Sequence, residues 1–161
     1  MKRLRLFLLA FGCAAAIQGA LLAAGIVIND TPSLPEGFYQ KTSRSAGKGS
    51  FVLFRLPPGE LSARPYARGL LLKQIVAVAG DRVCIDAAGV TVNGQPLVNS
   101  AQLAVDRDGA PLPRLALTDY TVRENEVLAM STYNPRSFDG RYFGPLQRGS
   151  ILAVVEPRLT W

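Results

Sequence analysis

At 161 residues and 48% hydrophobic composition, the chain is the size of one domain, large enough for a real core. Its net charge of +6 includes Lys2, Arg3 and Arg5 at the start; the remaining 15 basic residues stand against 12 acidic ones. That small excess argues against a nucleic-acid-binding face. The chain has no histidine, so a Ser-His-Asp triad is excluded, and any nucleophilic serine needs another base.

From Leu6 to Ile28 the chain carries no charge, and its one polar side chain is Gln18. As a helix this run would span roughly 35 Å, enough for the ~30 Å core of a bilayer. The basic residues before it place the N-terminus in the cytoplasm and the rest outside. Residues 1–28 thus read as a basic start and membrane anchor, and residues 29–161 as one periplasmic domain. A cleavable signal peptide is the alternative, with Ala23-Ala24-Gly25 as small residues near its end. The length of the apolar run and the nearness of Ser33 favour retention. On this topology Cys13 and Cys84 cannot meet, so no intrachain disulfide is expected, and Cys84 in Val83-Cys84-Ile85 reads as packed in a strand.

Asn29 to Gly37 is turn-prone, and Pro32 and Pro35 stiffen it around Ser33. Such a segment suits either a nucleophile or an ordinary stalk leaving a membrane. Lys41 to Gly49 reads as a loop, and Phe51 to Phe54 as a strand ended by Pro57-Pro58-Gly59. Leu61 to Arg68 reads as a loop, and Leu70 to Ala79 as a strand ended by Gly80-Asp81. Arg82 to Asp86 and Gly89 to Val92 form a predicted strand pair, followed by the hairpin signal Asn93-Gly94. Leu97 to Asp119 reads as irregular, with strands again at Glu126 to Ser131 and Ser150 to Glu156. No amphipathic helix stands out beyond the anchor. The predicted fold is mainly β: short strands in curled sheets or a partial barrel.

Lys73 lies in Leu70-Leu71-Leu72-Lys73-Gln74-Ile75-Val76-Ala77. On an alternating strand it would face water; buried, it would pair with an acid or lose its charge. The neutral reading requires a pKa about 3 units below the ordinary ~10.4, which burial among aliphatic side chains can supply. Asp139 and Arg141 stand two apart in a dense polar and aromatic stretch. On an extended segment they would face one side and pair.

These three clusters, in this order behind an anchor, resemble the boxes of the signal peptidase I superfamily of Ser-Lys endopeptidases. Ser33-Leu34-Pro35 looks like its nucleophile box and Leu72 to Val83 like its lysine box. Val90 to Leu97 is similar to the hairpin that follows, and Ser137 to Gly144 to the late Ser-x-Asp-Ser-Arg-Tyr-x-Gly box. The departures narrow the likeness: Leu34 stands where methionine is usual, Ala79 replaces a proline, and the insert before the late box is short. Thr31-Pro32-Ser33-Leu34-Pro35-Glu36-Gly37-Phe38-Tyr39 looks like the TraF-type conjugative-transfer peptidases.

The resemblance implies an N-terminal transmembrane helix followed by a small signal-peptidase-like β domain with a reduced cap region. It implies Ser33 as nucleophile, Lys73 as base and Asp139 as the acid of the group. Thr31 would assist the Ser33 N–H at the oxyanion, Ser137 would orient the lysine amine, and Arg141 would hold the late loop with Asp139. No cofactor, metal or nucleic acid is implied. The expected partners are the lipid bilayer, a membrane-inserted precursor (a pilin or preprotein) and a conjugation or secretion apparatus, at the bacterial inner membrane. Water would release the acyl-enzyme, or a substrate amine would, giving a ring. Rival readings are a general signal peptidase, a self-cleaving Ser-Lys repressor, which needs a DNA-binding domain where a membrane span is expected here, and a non-catalytic assembly component.

Overall fold

The computed structural model describes residues 7, 11, 12, 19, 20, 23–59 and 69–161. Eleven short strands, rich in Val, Ile, Leu and Phe, make two antiparallel sheets among these residues. They are β1 (Ile26–Asn29), β2 (Gly37–Thr42), β3 (Phe51–Phe54), β4 (Leu71–Val78), β5 (Arg82–Ile85), β6 (Val90–Val92), β7 (Gln95–Pro96), β8 (Leu117–Thr121), β9 (Glu126–Met130), β10 (Leu146–Gln147) and β11 (Ile151–Thr160). The larger sheet runs β1-β2-β11-β3-β4-β9-β10 and the smaller β7-β6-β5-β8. The mainly β expectation holds.

β4 links the two sheets and carries the lysine. Leu71 and Ile75 pack into one cluster with Val52, Phe54, Val127 and Phe138. Lys73 falls between them in the two-residue period, so its side chain leaves the strand on that same face. Leu72 packs the other way, with Leu34, Tyr39, Leu53 and Val155. The register against β9 shifts between Ile75 and Ala77. That bulge reverses the alternation, so Ala77 joins Val83, Leu128 and Met130 beneath the smaller sheet. β9 is buried throughout, with Val127 and Ala129 in one cluster and Leu128 and Met130 in the other. The turn into β5 is closed by Asp81, whose carboxylate accepts from the Val78 N–H (3.0 Å) and Lys48 (3.0 Å).

The strand over Phe51 to Phe54 appears as predicted, as do the long lysine strand and the pair around residues 82–92. Asn93 (φ 52°) and Gly94 (φ 78°) make the two-residue hairpin joining Val92 to Gln95. Four expectations are corrected. Ile26 to Ile28, assigned to the anchor, form β1 and pair with β2. β2 takes up Lys41 and Thr42, read as loop, because its polar second half carries no hydrophobic alternation although it pairs with β11. β8 occupies part of the stretch read as irregular; Asp119 at φ 54° interrupts its pattern. β11 runs on to Thr160 through Pro157, tolerated beside a register shift between Pro157 and Leu159.

Most of the run from Leu6, and the segment 60–68, lie outside the described residues. Residues 7, 11, 12, 19, 20 and 23 are helical, and Phe7 and Phe11 are exposed. Among the described residues no helix is long and apolar enough to cross a membrane.

Candidate active site

Between β1 and β2 the chain has no ladder to satisfy its backbone, yet every carbonyl from Thr31 to Glu36 is held. The Asn29 carboxamide, buried beneath the segment, donates to the carbonyls of Thr31 (3.0 Å), Leu34 (3.2 Å) and Pro35 (3.1 Å). Tyr39 adds a second bond to Pro35 (2.8 Å), and the Trp161 N–H takes Glu36 (3.0 Å). The two carbonyls flanking the Ser33 nitrogen and α-carbon go to the late loop: Asn134 Nδ2 donates to Pro32 (2.9 Å) and the Ser131 hydroxyl donates to Ser33. Leu34 pins the segment from below, in the cluster with Leu72. A prolyl turn without regular structure is thereby made rigid.

Ser33 opens on a cavity of about 400 Å³ that Lys73, Ser137 and Thr31 also line. Its other walls mix apolar side chains, Leu71, Leu103, Leu112 and Phe138 among them, with the charged Asp106, Arg107, Asp108 and Arg136. Lys73 is 2% exposed. Its reading as a water-facing strand residue is therefore corrected: the β4 face it occupies is covered by the late loop. Burial pushes the amine down to about 8, against an upward pull from the Asp139 carboxylate and a further downward push from Arg141. Its hydrogen-bond acceptor within the protein is the Leu72 carbonyl (3.1 Å). The Ser137 hydroxyl, also buried, has no hydrogen-bond partner among the described residues. A hydroxyl on a rigid mount, an amine with reduced basicity and an uncommitted hydroxyl thus face one enclosed space, a set suited to moving a proton off oxygen.

Asp139 and Arg141 do pair, as their spacing suggested, but in a different geometry and place. Asp139 is the N-cap of a one-turn helix, Gly140–Phe143, and both residues are fully buried rather than in a surface loop. Arg141 donates Nε to Oδ1 (2.8 Å) and Nη2 to Oδ2 (3.0 Å), and its own N–H reaches Oδ1 (3.2 Å). The Ser131 N–H supplies a fourth bond, to Oδ2 (2.9 Å). The remaining guanidinium hydrogens go to the carbonyls of Asn99 (2.6 Å), Pro135 (3.1 Å) and Ser131 (2.7 Å). The pair therefore stitches the late loop to the 99–101 segment and to the end of β9. Gly140 permits this close packing, since a Cβ there would fall 2.6 Å from Leu128 Cδ1.

The structure thus brings Thr31, Ser33, Lys73 and Ser137 to one cavity, and sets Asp139 and Arg141 outside its lining. The Thr31 hydroxyl donates to Asn29 Oδ1 (2.9 Å), so its single hydrogen is committed within the mount. Sequence reasoning missed Asn29, Ser131 and Asn134, which hold the nucleophile segment. Their one sequence signal was position: Asn29 opens the turn-prone segment, Ser131 closes a predicted strand, and Asn134 opens the polar and aromatic stretch that carries Asp139 and Arg141.

A serine on a prolyl mount and a buried lysine thus line one cavity of a mainly β scaffold. The match to the family described as signal peptidase, peptidase S26, extends over residues 1–161, and the chain belongs to that family. It is similar to a plasmid transfer protein TraF from Escherichia coli, 40% identical over 93% of this chain and 92% of that protein. A second Escherichia coli protein of that name is 37% identical, over 100% of this chain and 98% of the relative. A crystal structure of a signal peptidase I from Enterococcus faecalis overlays with a TM-score of 0.43 at 18% identity, covering 71% of this chain and 100% of that one. That likeness is too slight to define the fold, which the chain's own strand pairing defines.

Proposed function

We propose that this chain is a membrane-anchored serine endopeptidase of a conjugation system, with Lys73 as base for Ser33, and that it matures a pilin precursor at the outer side of the inner membrane. One observation carries the reading: Ser33 and a buried Lys73 whose pKa falls to about 8 line a single cavity with Ser137. Neutral Lys73 accepts the Ser33 proton as Oγ bonds to the substrate carbonyl carbon. The protonated amine then returns that proton to the leaving nitrogen as the C–N bond breaks. Water, or an amine of the substrate itself, attacks the acyl-enzyme and frees Ser33; the second route closes a ring. The Ser137 hydroxyl, unpaired among the described residues, turns to the Lys73 amine and orients it toward Ser33 once the amine leaves the Leu72 carbonyl.

The plasmid-transfer names of the two relatives support the conjugative substrate. The membrane setting is supported by the uncharged run from Leu6 and by an exposed apolar row across β1, β2 and β11. Ile28, Phe38 and Leu159 lie in register across β1, β2 and β11, and Trp161 packs edge-on to Phe38 at 5.8 Å. Ile28, Leu159 and Trp161 are more than half exposed. Aromatic and aliphatic side chains of this kind suit the headgroup boundary of a bilayer.

The test is mass spectrometry of candidate pilin precursors in membranes carrying the wild type, Ser33→Ala or Lys73→Ala. Wild type should yield a product trimmed at one bond, linear or lighter by one water if cyclised. Both variants should leave the precursor intact while remaining folded in the membrane. Processing at near wild-type rate by either variant would remove the dyad and leave the non-catalytic assembly role.

A further inference from the structure

Ser33 sits at the junction of two peptide planes. In trans peptides the N–H lies opposite the preceding carbonyl, so fixing the Pro32 carbonyl fixes the direction of the Ser33 N–H. Fixing the Ser33 carbonyl as well leaves the Ser33 φ and ψ little freedom, and these set where its Oγ can point. No residue on the mount itself holds either carbonyl. Both grips come from the late loop, about a hundred residues away in sequence. Among the described residues neither the Ser33 N–H nor the Leu34 N–H has an acceptor, whereas the Thr31 N–H bonds Asn29. The loop therefore binds carbonyls only and leaves the Ser33 donor uncommitted.

The gripping groups are themselves pinned. The Ser131 hydroxyl accepts from the N–H groups of Tyr133 (3.1 Å) and Asn134 (3.1 Å), so its one hydrogen is directed to Ser33. The Ser131 backbone N–H ends on Asp139 Oδ2 and its carbonyl on Arg141 Nη2. Asn134 Oδ1 accepts from the Arg136 N–H (2.8 Å), which fixes the face its Nδ2 presents to Pro32. A continuous chain of bonds thus runs from the buried Asp139–Arg141 pair through Ser131 to the nucleophile's own backbone. It bypasses the Lys73 amine, which forms no ion pair with Asp139.

We propose that Ser131 and Asn134 are positioning residues for peptide-bond cleavage: they clamp the carbonyls on either side of the Ser33 nitrogen and α-carbon, and so aim Ser33 Oγ at Lys73 and the Ser33 N–H at the oxyanion. Asp139 acts on catalysis through this clamp rather than by accepting a proton. The proposal rests on Ser33 being the nucleophile. Misplacing a reacting atom by an ångström costs on the order of 10²-fold, so the clamp carries a sizeable share of the rate.

The experiment uses the full-length protein in membranes and follows precursor processing with Ser131→Ala, Ser131→Thr and Asn134→Asp. Thr keeps the hydroxyl; Asp keeps the acceptor for Arg136 but removes the donor to Pro32. Ser131→Ala and Asn134→Asp should each lower kcat by about tenfold or more, with KM within about threefold of wild type. Ser131→Thr should recover kcat to within about threefold. The ascending limb of the pH–rate profile should keep its midpoint at about 8 in all three, because Lys73 keeps its burial. Rates within about twofold of wild type for both Ser131→Ala and Asn134→Asp would overturn the clamp. So would a loss that Ser131→Thr does not recover and that comes with a limb moved toward free lysine, since that reports collapse of the pocket. Ser33→Ala run alongside separates the two ideas: activity retained there sinks the nucleophile assignment, whatever the clamp variants do.

Discussion

Lys73 and Asp139 are both buried, yet they form no ion pair: Asp139 directs its oxygens to Arg141 and Ser131, and Lys73 donates to the Leu72 carbonyl. An amine buried without an ion pair among the described residues is stabilised in its neutral form, and this burial outweighs the pull of the Asp139 carboxylate and brings Lys73 down to about 8. At pH 7 about one-tenth of the amine is then neutral, against about one part in 3,000 for an ordinary lysine. Processing should therefore rise about tenfold between pH 7 and pH 9 and level off above. A rate that keeps climbing past pH 10 would show an unshifted lysine and contradict the buried amine.

The same burial has a cost to folding. Lys73 has a lower pKa folded than unfolded, so between about 8 and 10.5 the unfolded chain binds more protons. Stability therefore rises with pH through that window. Below it the folded state carries the full penalty of a buried ammonium, about 3 kcal/mol for a shift of this size. Lys73→Met keeps the stem's volume and removes the charge. It should abolish processing and raise stability at pH 7 by up to about 3 kcal/mol, a gap that closes by pH 10.5. Urea melts of both proteins at pH 7 and pH 10 would show it; equal stability at pH 7 would mean that water or a partner group screens the amine.

Long strands and motif spacing were readable because they depend on local pattern. Leu70 to Ala79 announces a strand by its aliphatic run, and Asn93-Gly94 announces its hairpin by two residues that accept positive φ. The Ser33 and Lys73 boxes were readable for the same reason. What escaped depends on contacts remote in sequence. Nothing around Lys73 says that residues 137–142 cover its face of β4, and nothing in Asn29 says that it will hold the carbonyls two, five and six positions on. β2 and β8 went unseen because half-exposed strands with polar faces look like loops until a neighbour supplies their ladder.

The Asp139–Arg141 pair should behave as a structural staple whose removal is felt in two measurements. Asp139→Ala leaves a buried guanidinium without its counter-charge, which typically costs about 3–5 kcal/mol. Thermal melts should fall accordingly, and processing should fall with them because Ser131 loses its anchor. Asp139→Ala combined with Arg141→Met removes both charges and should recover a good part of the stability. A double variant no more stable than the single one would mean that Arg141's bonds to the carbonyls of Asn99, Pro135 and Ser131 carry the staple without Asp139.

Thr31 separates a chemical role from a structural one. The resemblance assigns its hydroxyl to the oxyanion, but in the structure that hydroxyl donates to Asn29, the residue that holds the mount. Loss of an oxyanion donor typically costs about 10²–10³ in kcat, whereas loss of one neutral hydrogen bond costs about 1 kcal/mol of stability. Thr31→Val keeps shape and removes the hydroxyl. With the hydrogen committed to Asn29, the expected result is a melt lowered by a few degrees and kcat reduced less than about tenfold. Steady-state processing beside a thermal melt decides it. A drop of about 10² or more in kcat at unchanged melting temperature would show that Thr31 leaves Asn29 for the oxyanion once substrate is bound.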